Sequence, residues 1–314
     1  MTRLFFATDV HGSERCFRKF INAGKHYGVS VLILGGDITG KLIVPLVEQA
    51  DKTYRCGFGG AELTIASSDL ENKLKTIRDS GYYPYICSKS QHDELAASPQ
   101  LVEKLFSQLM VEGIARWVEL AEERLRGTNI RCYISPGNDD SFAIDQILNS
   151  SKYVINPEEK VVLIDSEHEM ITLGYANHTP WGSPREVDED VLEQKITKMA
   201  QDLSDPSKAI FNLHVPPIET PIDKAPKLDK DLKPQVVGGE TVMISAGSVA
   251  VRKAIEKYQP LVGLHGHIHE SKGVVKIGKT VCLNPGSEYG EGVLRGIVCD
   301  LEGSKLRSYL LTTG

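Results

Sequence analysis

Two short stretches near the ends of the sequence have the spacing of paired metal ligands. Asp9 and His11 follow the apolar run Leu4-Phe5-Phe6-Ala7, and His267 and His269 follow Leu261-Val262-Gly263-Leu264. In extended backbone, residues i and i+2 point to one side, so each pair could grip one cation from the end of a strand. Three further strand ends of the same kind lie between them. Val31-Leu32-Ile33-Leu34-Gly35-Gly36 ends at Asp37. Arg131-Cys132-Tyr133-Ile134-Ser135 leads through Pro136-Gly137 to Asn138 and the acids Asp139 and Asp140. Ala209-Ile210-Phe211-Asn212-Leu213 ends at His214. Each alone has an ordinary explanation, as a cap on the next helix or a surface histidine. Five successive strands that each deliver such a group at the C-terminal end point instead to a metal centre. That is the edge at which open α/β sheets bind ligands. Imidazoles and carboxylates suit Mn, Fe, Zn, Ni or Co.

In this order the motifs DxH, GDxxG, GN, H and GHxH resemble the calcineurin-like metallophosphoesterase superfamily. They run from Asp9 to His269 and so frame most of the chain. The resemblance implies an α/β fold, a sandwich of two mixed β-sheets flanked by helices, holding two divalent metals, with Mn the leading candidate. It implies that Asp9, His11 and His269 hold one metal, that Asn138, His214 and His267 hold the other, and that Asp37 bridges them. The implied activity is hydrolysis of a phosphate ester, a phosphodiester in preference, by a metal-bridging hydroxide at cations about 4 Å apart. A phosphomonoesterase is the alternative within that chemistry. A non-catalytic metal-binding interaction module on the same fold is the alternative outside it.

The sequence departs from the family pattern at one position. Most members follow the Gly-Asn pair with a histidine that contacts phosphate or assists the leaving group; Asp139 stands there instead. An acid beside a phosphate is repelled unless it is protonated or faces a metal. Next to two dications Asp139 is expected to be ionised and near the metals without binding them. The candidates for a catalytic role are therefore Asp139, His178 and His265. His178 lies with Trp181 in a polar and aromatic loop, which reads equally well as surface. His265 reads also as a hydrogen-bonding support for the ligands beside it.

The net charge of −6 argues against a nucleic-acid partner held by bulk electrostatics. A small phosphorylated substrate fits better, and a homo-oligomer is left open. No run of eighteen apolar residues suggests a membrane span. The chain enters a strand at once, without a signal-peptide pattern. The six cysteines are scattered without a CxxC, which reads as free buried thiols in a reducing cytoplasm.

The elements that must position these residues follow from periodicity. Ser13 caps a helix to about Tyr27, and the strand–helix–strand opening predicts a parallel, helix-covered sheet. The 314 residues read as one domain, 1–314, with an insertion at 41–128. Within the insertion, Leu42 to Val47 reads as an edge strand because Pro45 cannot donate to a ladder. Strands at Thr53 to Phe58 and Ala61 to Ile65 follow, then a helix from Ser68 to Ser80. Tyr82-Tyr83-Pro84-Tyr85 reads as an aromatic link. A short helix near Gln91 to Ala97 and a long one from Pro99 to Arg126 come next, with Leu101, Leu105, Leu109, Ile114, Trp117 and Leu120 as its core face. The insertion reads as a packed flank in preference to a lid or dimer surface. Further on, a helix from Phe142 to Leu148 precedes a hairpin of Val161 to Ile164 with Met170 to Leu173, then helices at Val187 to Leu203 and Ser248 to Tyr258. Residues 216–247 read as a long loop placed to cover the metals. Four strands of the tail, from Val274 to Leu310, are expected to complete the second sheet.

Overall fold

The structure is a computed structural model that describes residues 1–314. The chain opens with β1 (Thr2–Ala7), α1 (Glu14–His26) and β2 (Val31–Gly35). It continues through β3 (Ile43–Glu48), β4 (Tyr54–Phe58), β5 (Ala61–Ile65), α2 (Leu70–Asp79) and β6 (Tyr83–Cys87). Helices α3 (Lys89–Ala97) and α4 (Pro99–Leu125) lead to β7 (Arg131–Ser135), α5 (Asp145–Ser150) and β8 (Val154–Ile155). Then come β9 (Val161–Leu163), β10 (Glu169–Leu173), α6 (Glu189–Gln201) and β11 (Ile210–Leu213). A two-tier hairpin follows, with β12 (Lys224–Pro226), β13 (Val236–Val237), β14 (Glu240–Thr241) and β15 (Met243–Ser245). Last are α7 (Val249–Tyr258), β16 (Val262–Leu264), β17 (Gly273–Ile277), β18 (Thr280–Asn284), β19 (Arg295–Glu302) and β20 (Lys305–Thr313).

Two six-stranded mixed sheets form the body, in the orders β20-β19-β1-β2-β7-β8 and β17-β18-β16-β11-β10-β9. β1, β2, β7 and β8 run parallel in the first, and β10, β11, β16 and β18 in the second. Period-two alternation divides the core into layers. Leu4, Phe6, Val31 and Ile33 face Ile210, Val262 and Leu264 between the sheets. Phe5, Ala7, Leu32 and Leu34 point the other way, onto α1 and α4. Phe211 and Leu213 point out of the second sheet onto α6 and α7. The result is helix, sheet, sheet, helix. Each fully buried Phe or Leu contributes roughly 1.5–3 kcal/mol, so strands buried on both faces anchor their own ends firmly. No helix is long and apolar enough to cross a membrane. All six cysteines are free and buried.

Residues between β2 and β7 build a third sheet, β5-β4-β3-β6. Here two expectations are corrected. β3 is internal, and Tyr83–Cys87 is a strand parallel to it instead of a link. Pro45 is tolerated because β3 meets β4 only at Val47 and Glu48, so no ladder bond is asked of residue 45 on that side. Helix α4 packs Ile114 and Trp117 into the main core, where Trp117 stacks on Phe17 with ring centroids 4.2 Å apart. Leu109 and Leu120 pack against that core, but Leu101, read as core, is 45% exposed on the first turn. The tail divides between the sheets. β17 and β18 complete the second, whereas β19 pairs antiparallel with β1 and carries β20 into the first. The segment after His214 is the hairpin of β12 to β15, not a loop, and no hydrogen bond or ion pair ties that hairpin to the candidate ligands.

Candidate metal centre

The candidate ligands do not lie in extended strand ends. β1 stops at Ala7 and β2 at Gly35. Asp9, His11, Asp37 and His267 all have left-handed backbone, with φ of 53°, 39°, 50° and 66°. Such conformations are costly outside glycine and cluster at functional sites. Two loops lie side by side and hold each other, with Asp9 N–H donating to the Gly36 carbonyl and His11 N–H to the Asp37 carbonyl at 3.0 and 2.9 Å. Neighbouring side chains thus reach one point through turns, not through strand alternation.

Asp140 fastens the second loop from below. Its carboxylate accepts from the N–H groups of Ile38, Thr39 and Gly137 and from the Thr39 hydroxyl. Glycine is required where loops meet. A Cβ on Gly36, whose φ is 116°, would lie 2.5 Å from His214 Nδ1.

The structure brings all seven metal-ligand candidates together. Asp9, His11, Asp37 and His269 form one set of close donor atoms, and Asp37, His214 and His267 form a second. Asn138 joins through its side-chain oxygen, 2.8 Å from His267 Nδ1. His11 Nε2 lies 3.0 Å from His269 Nε2 and 3.6 Å from the Asp37 carboxylate. His214 Nε2 lies 3.4 Å from Asp37 and 3.9 Å from Asp9. His269 Nε2 lies 3.3 Å from Asp9. His214 directs Nδ1 at the Gly35 carbonyl, 3.0 Å away, which turns Nε2 into the cluster.

These residues fit metal ions. His214 Nε2, the atom turned toward Asp37 and Asp9, is buried without a hydrogen-bond partner, which is costly for a polar atom. The separations within the cluster are below twice a metal–nitrogen bond of about 2.1 Å. Left to themselves the side chains must share protons. Burial opposes charge on His214, but the Asp37 and Asp9 carboxylates outweigh it and raise the imidazole well above its usual range. Burial, with the His214 and His269 imidazoles, pushes His267 down to about 3, and burial, with His269 and Lys41, also holds His11 well below the usual imidazole range.

The three candidates for catalysis fare differently. Asp139 stands at the mouth: its N–H donates to Asp37 Oδ1 at 3.0 Å, and its carboxylate meets Lys41 Nζ at 3.1 Å and the Ser183 hydroxyl at 2.5 Å. Burial raises its pKa, but Lys41 and Ser183 outweigh that and hold it below the usual value. His178 makes no contact with the cluster; it is 63% exposed and bonds Asp188 at 3.0 Å. Trp181, in the same loop, is 65% exposed. His265 is sealed beneath the site, with Nδ1 on the Leu213 carbonyl at 2.8 Å, and burial lowers it to about 4. It thereby braces the residue before His214.

Sequence reading missed Lys41, Ser183 and Tyr289. The Tyr289 ring lies 4.7 Å from that of His11, centroid to centroid. Lys41 directly follows the GDxxG run, and that was its one signal. Ser183 and Tyr289 arrive from distant segments and carried none.

No protein-family model matches the chain. It is 34% identical over 153 residues to an uncharacterized protein, MJ1162, of Methanocaldococcus jannaschii. The match spans 48% of this chain and 61% of that relative's length. A crystal structure aligned over 100% of this chain and 98% of its own has a TM-score of 0.58 at 15% identity. TT1561 of Thermus thermophilus gives 0.52 at 15% identity, over the same shares of the two chains. At such identity the likeness concerns the fold. Two helix-flanked mixed sheets, followed at their loops by Asp-His, Asp, Asn, His and His-x-His in that order, are what this chain presents.

Proposed function

We propose that this chain is a metal-dependent phosphoesterase that hydrolyses a small phosphodiester. The observation that carries the reading is the pair of donor sets sharing Asp37. Asp9, His11 and His269 would hold one divalent cation, and Asn138, His214 and His267 the other, with Asp37 between them. When bound, such a pair neutralises phosphate charge and makes water a nucleophile near neutral pH. Mn is the proposed native ion, with Fe, Zn, Ni and Co as alternatives of similar ligand preference.

The chain's own residues do the rest. Lys41 is held at the mouth by Asp139, and its charge is felt at both His11 and His269. Its ammonium would pair with a phosphate oxygen, so a lysine recruited by an acid does the work of the usual histidine. Asp139 stays ionised and is no proton donor. The Asp139–Lys41 pair adds no net charge at the entrance, so the preference for a diester over a monoester is carried by the family resemblance and not by the charge of the mouth. His178 and His265 have no part in this chemistry.

The test is hydrolysis of bis(p-nitrophenyl) phosphate and p-nitrophenyl phosphate by the purified protein with added Mn. Diester turnover that requires metal and disappears in Asp37→Asn is expected. Metal binding without turnover of either ester would favour the non-catalytic module, and faster monoester turnover would reassign the substrate class.

A further inference from the structure

A second, separate cavity lies on the outer side of α1, where that helix meets α2, β6 and α4. Its volume is about 450 Å³, within the roughly 300–1,000 Å³ usual for small-molecule sites. One wall is apolar, formed by Phe17, Leu109, Trp117 and Leu120, and Tyr83 and Pro84 close one side. The other carries three guanidinium groups, Arg18, Arg78 and Arg116.

These arginines crowd around a single carboxylate. Arg18, Arg78 and Arg116 lie 3.7, 3.6 and 3.8 Å from Glu14. Those distances exceed hydrogen-bond length, and none of the three side chains donates a hydrogen bond elsewhere in the protein. Arg185, by contrast, spends its donors on Asp140, Ser141 and Asp145. The second acid of the cavity, Glu112, accepts from Gln108 at 2.9 Å. Three cations therefore face two carboxylates, with fork-shaped donors left over that match phosphate oxygens in geometry.

We propose that this cavity binds a phosphate monoester whose body is a ring-bearing group of nucleoside size. The head would take the donors of Arg78 and Arg116, and the body would lie along Leu109, Trp117 and Leu120. The proposal does not rest on the phosphoesterase reading, because the cavity shares no residue with the metal centre.

Trp117 provides the readout. The chain has two tryptophans, so Trp181→Phe leaves Trp117 as the only indole. Adenosine monophosphorothioate, a phosphate monoester analogue that resists hydrolysis, is titrated into the purified protein, with calorimetry in parallel. Saturable change in Trp117 emission is expected, with adenosine binding at least about tenfold more weakly. The double variant Arg78→Gln, Arg116→Gln should weaken the nucleotide by about tenfold or more, a loss of about 1.4 kcal/mol, while its melting temperature stays near that of the parent. Asp37→Asn should bind as the parent does. Absence of saturable binding overturns the proposal. So does binding that survives in the arginine variant but is lost in Asp37→Asn, since the ligand would then sit at the metal centre.

Discussion

The Nε2 atoms of His11 and His269 face each other 3.0 Å apart, and Asp37 approaches the first of them from the side. A cation shared by these donors relieves the conflict between two imidazoles competing for one proton. Chelation should therefore lower the melting temperature, because a ligand of the native state stabilises it by mass action. Asp37→Asn should reduce both metals per chain, and His11→Ala mainly one. Elemental analysis of the three proteins checks this; two metals retained in Asp37→Asn would remove Asp37 from the bridging role.

Lys41 and Asp139 should act as a unit. Lys41→Met is expected to lower kcat/KM by about tenfold or more, the equivalent of about 1.4 kcal/mol of lost transition-state stabilisation. Asp139→His should raise turnover of alkyl esters more than of nitrophenyl esters, because only poor leaving groups need an added proton donor. Parallel kinetics on the two ester classes decide it. Equal effects on both would mean that Asp139 does not govern leaving-group protonation.

Gly36→Ala should destabilise the protein and deplete its metal together. The new methyl would meet His214 Nδ1 in a backbone conformation that side chains avoid. A cost of about 2 kcal/mol or more is expected from strain and displacement combined. Denaturant unfolding with and without chelator separates the structural part from the metal-linked part.

Asp165 links stability to acid. Burial opposes its ionisation, but the Thr2 side chain, the Glu167 and His168 N–H groups and the His168 ring prevail, holding it down to about 2 from the ordinary 3.8. A depressed carboxyl stabilises the fold above its unfolded pKa, and the benefit is lost as pH falls toward the folded value. Asp165→Asn should therefore cost about 1–2 kcal/mol at pH 7. The gap should close between about pH 4 and pH 2. Urea unfolding across that range tests the sign, and a gap that widens in acid would refute it.

Trp117 tests the flank. It is buried and stacked on Phe17, so Trp117→Ala should cost about 3–5 kcal/mol. Amide exchange in residues 110–125 should be slow and, in the Arg78→Gln, Arg116→Gln background where the α4 cavity no longer competes, unaffected by a phosphate analogue at the metal centre. Protection that rises on binding would make α4 part of a moving lid.

The order of strands that each lead to a candidate ligand was legible because it is local. An apolar run stops, a glycine or acid follows, and the same event recurs from Asp9 to His269. The helices were legible for the same reason: Ser13 caps α1, and Ser98 with Pro99 starts α4. What periodicity cannot encode is which distant segment arrives beside which. It placed all four tail strands in the second sheet, yet β19 pairs with β1 and carries β20 into the first, because strands apolar on both faces do not record which sheet they join. It made Pro45 a marker of an edge, yet tertiary pairing placed β4 beyond the reach of its missing donor. It suggested that Asp9 and His11 align by strand alternation, whereas left-handed turns, braced by Asp140 and by contacts between loops, bring them together. Above all, an aspartate at position 139 reads as a lost catalytic group until Lys41 is seen 3.1 Å away. The charge of a site is a sum over space, and the sequence records its parts only along a line.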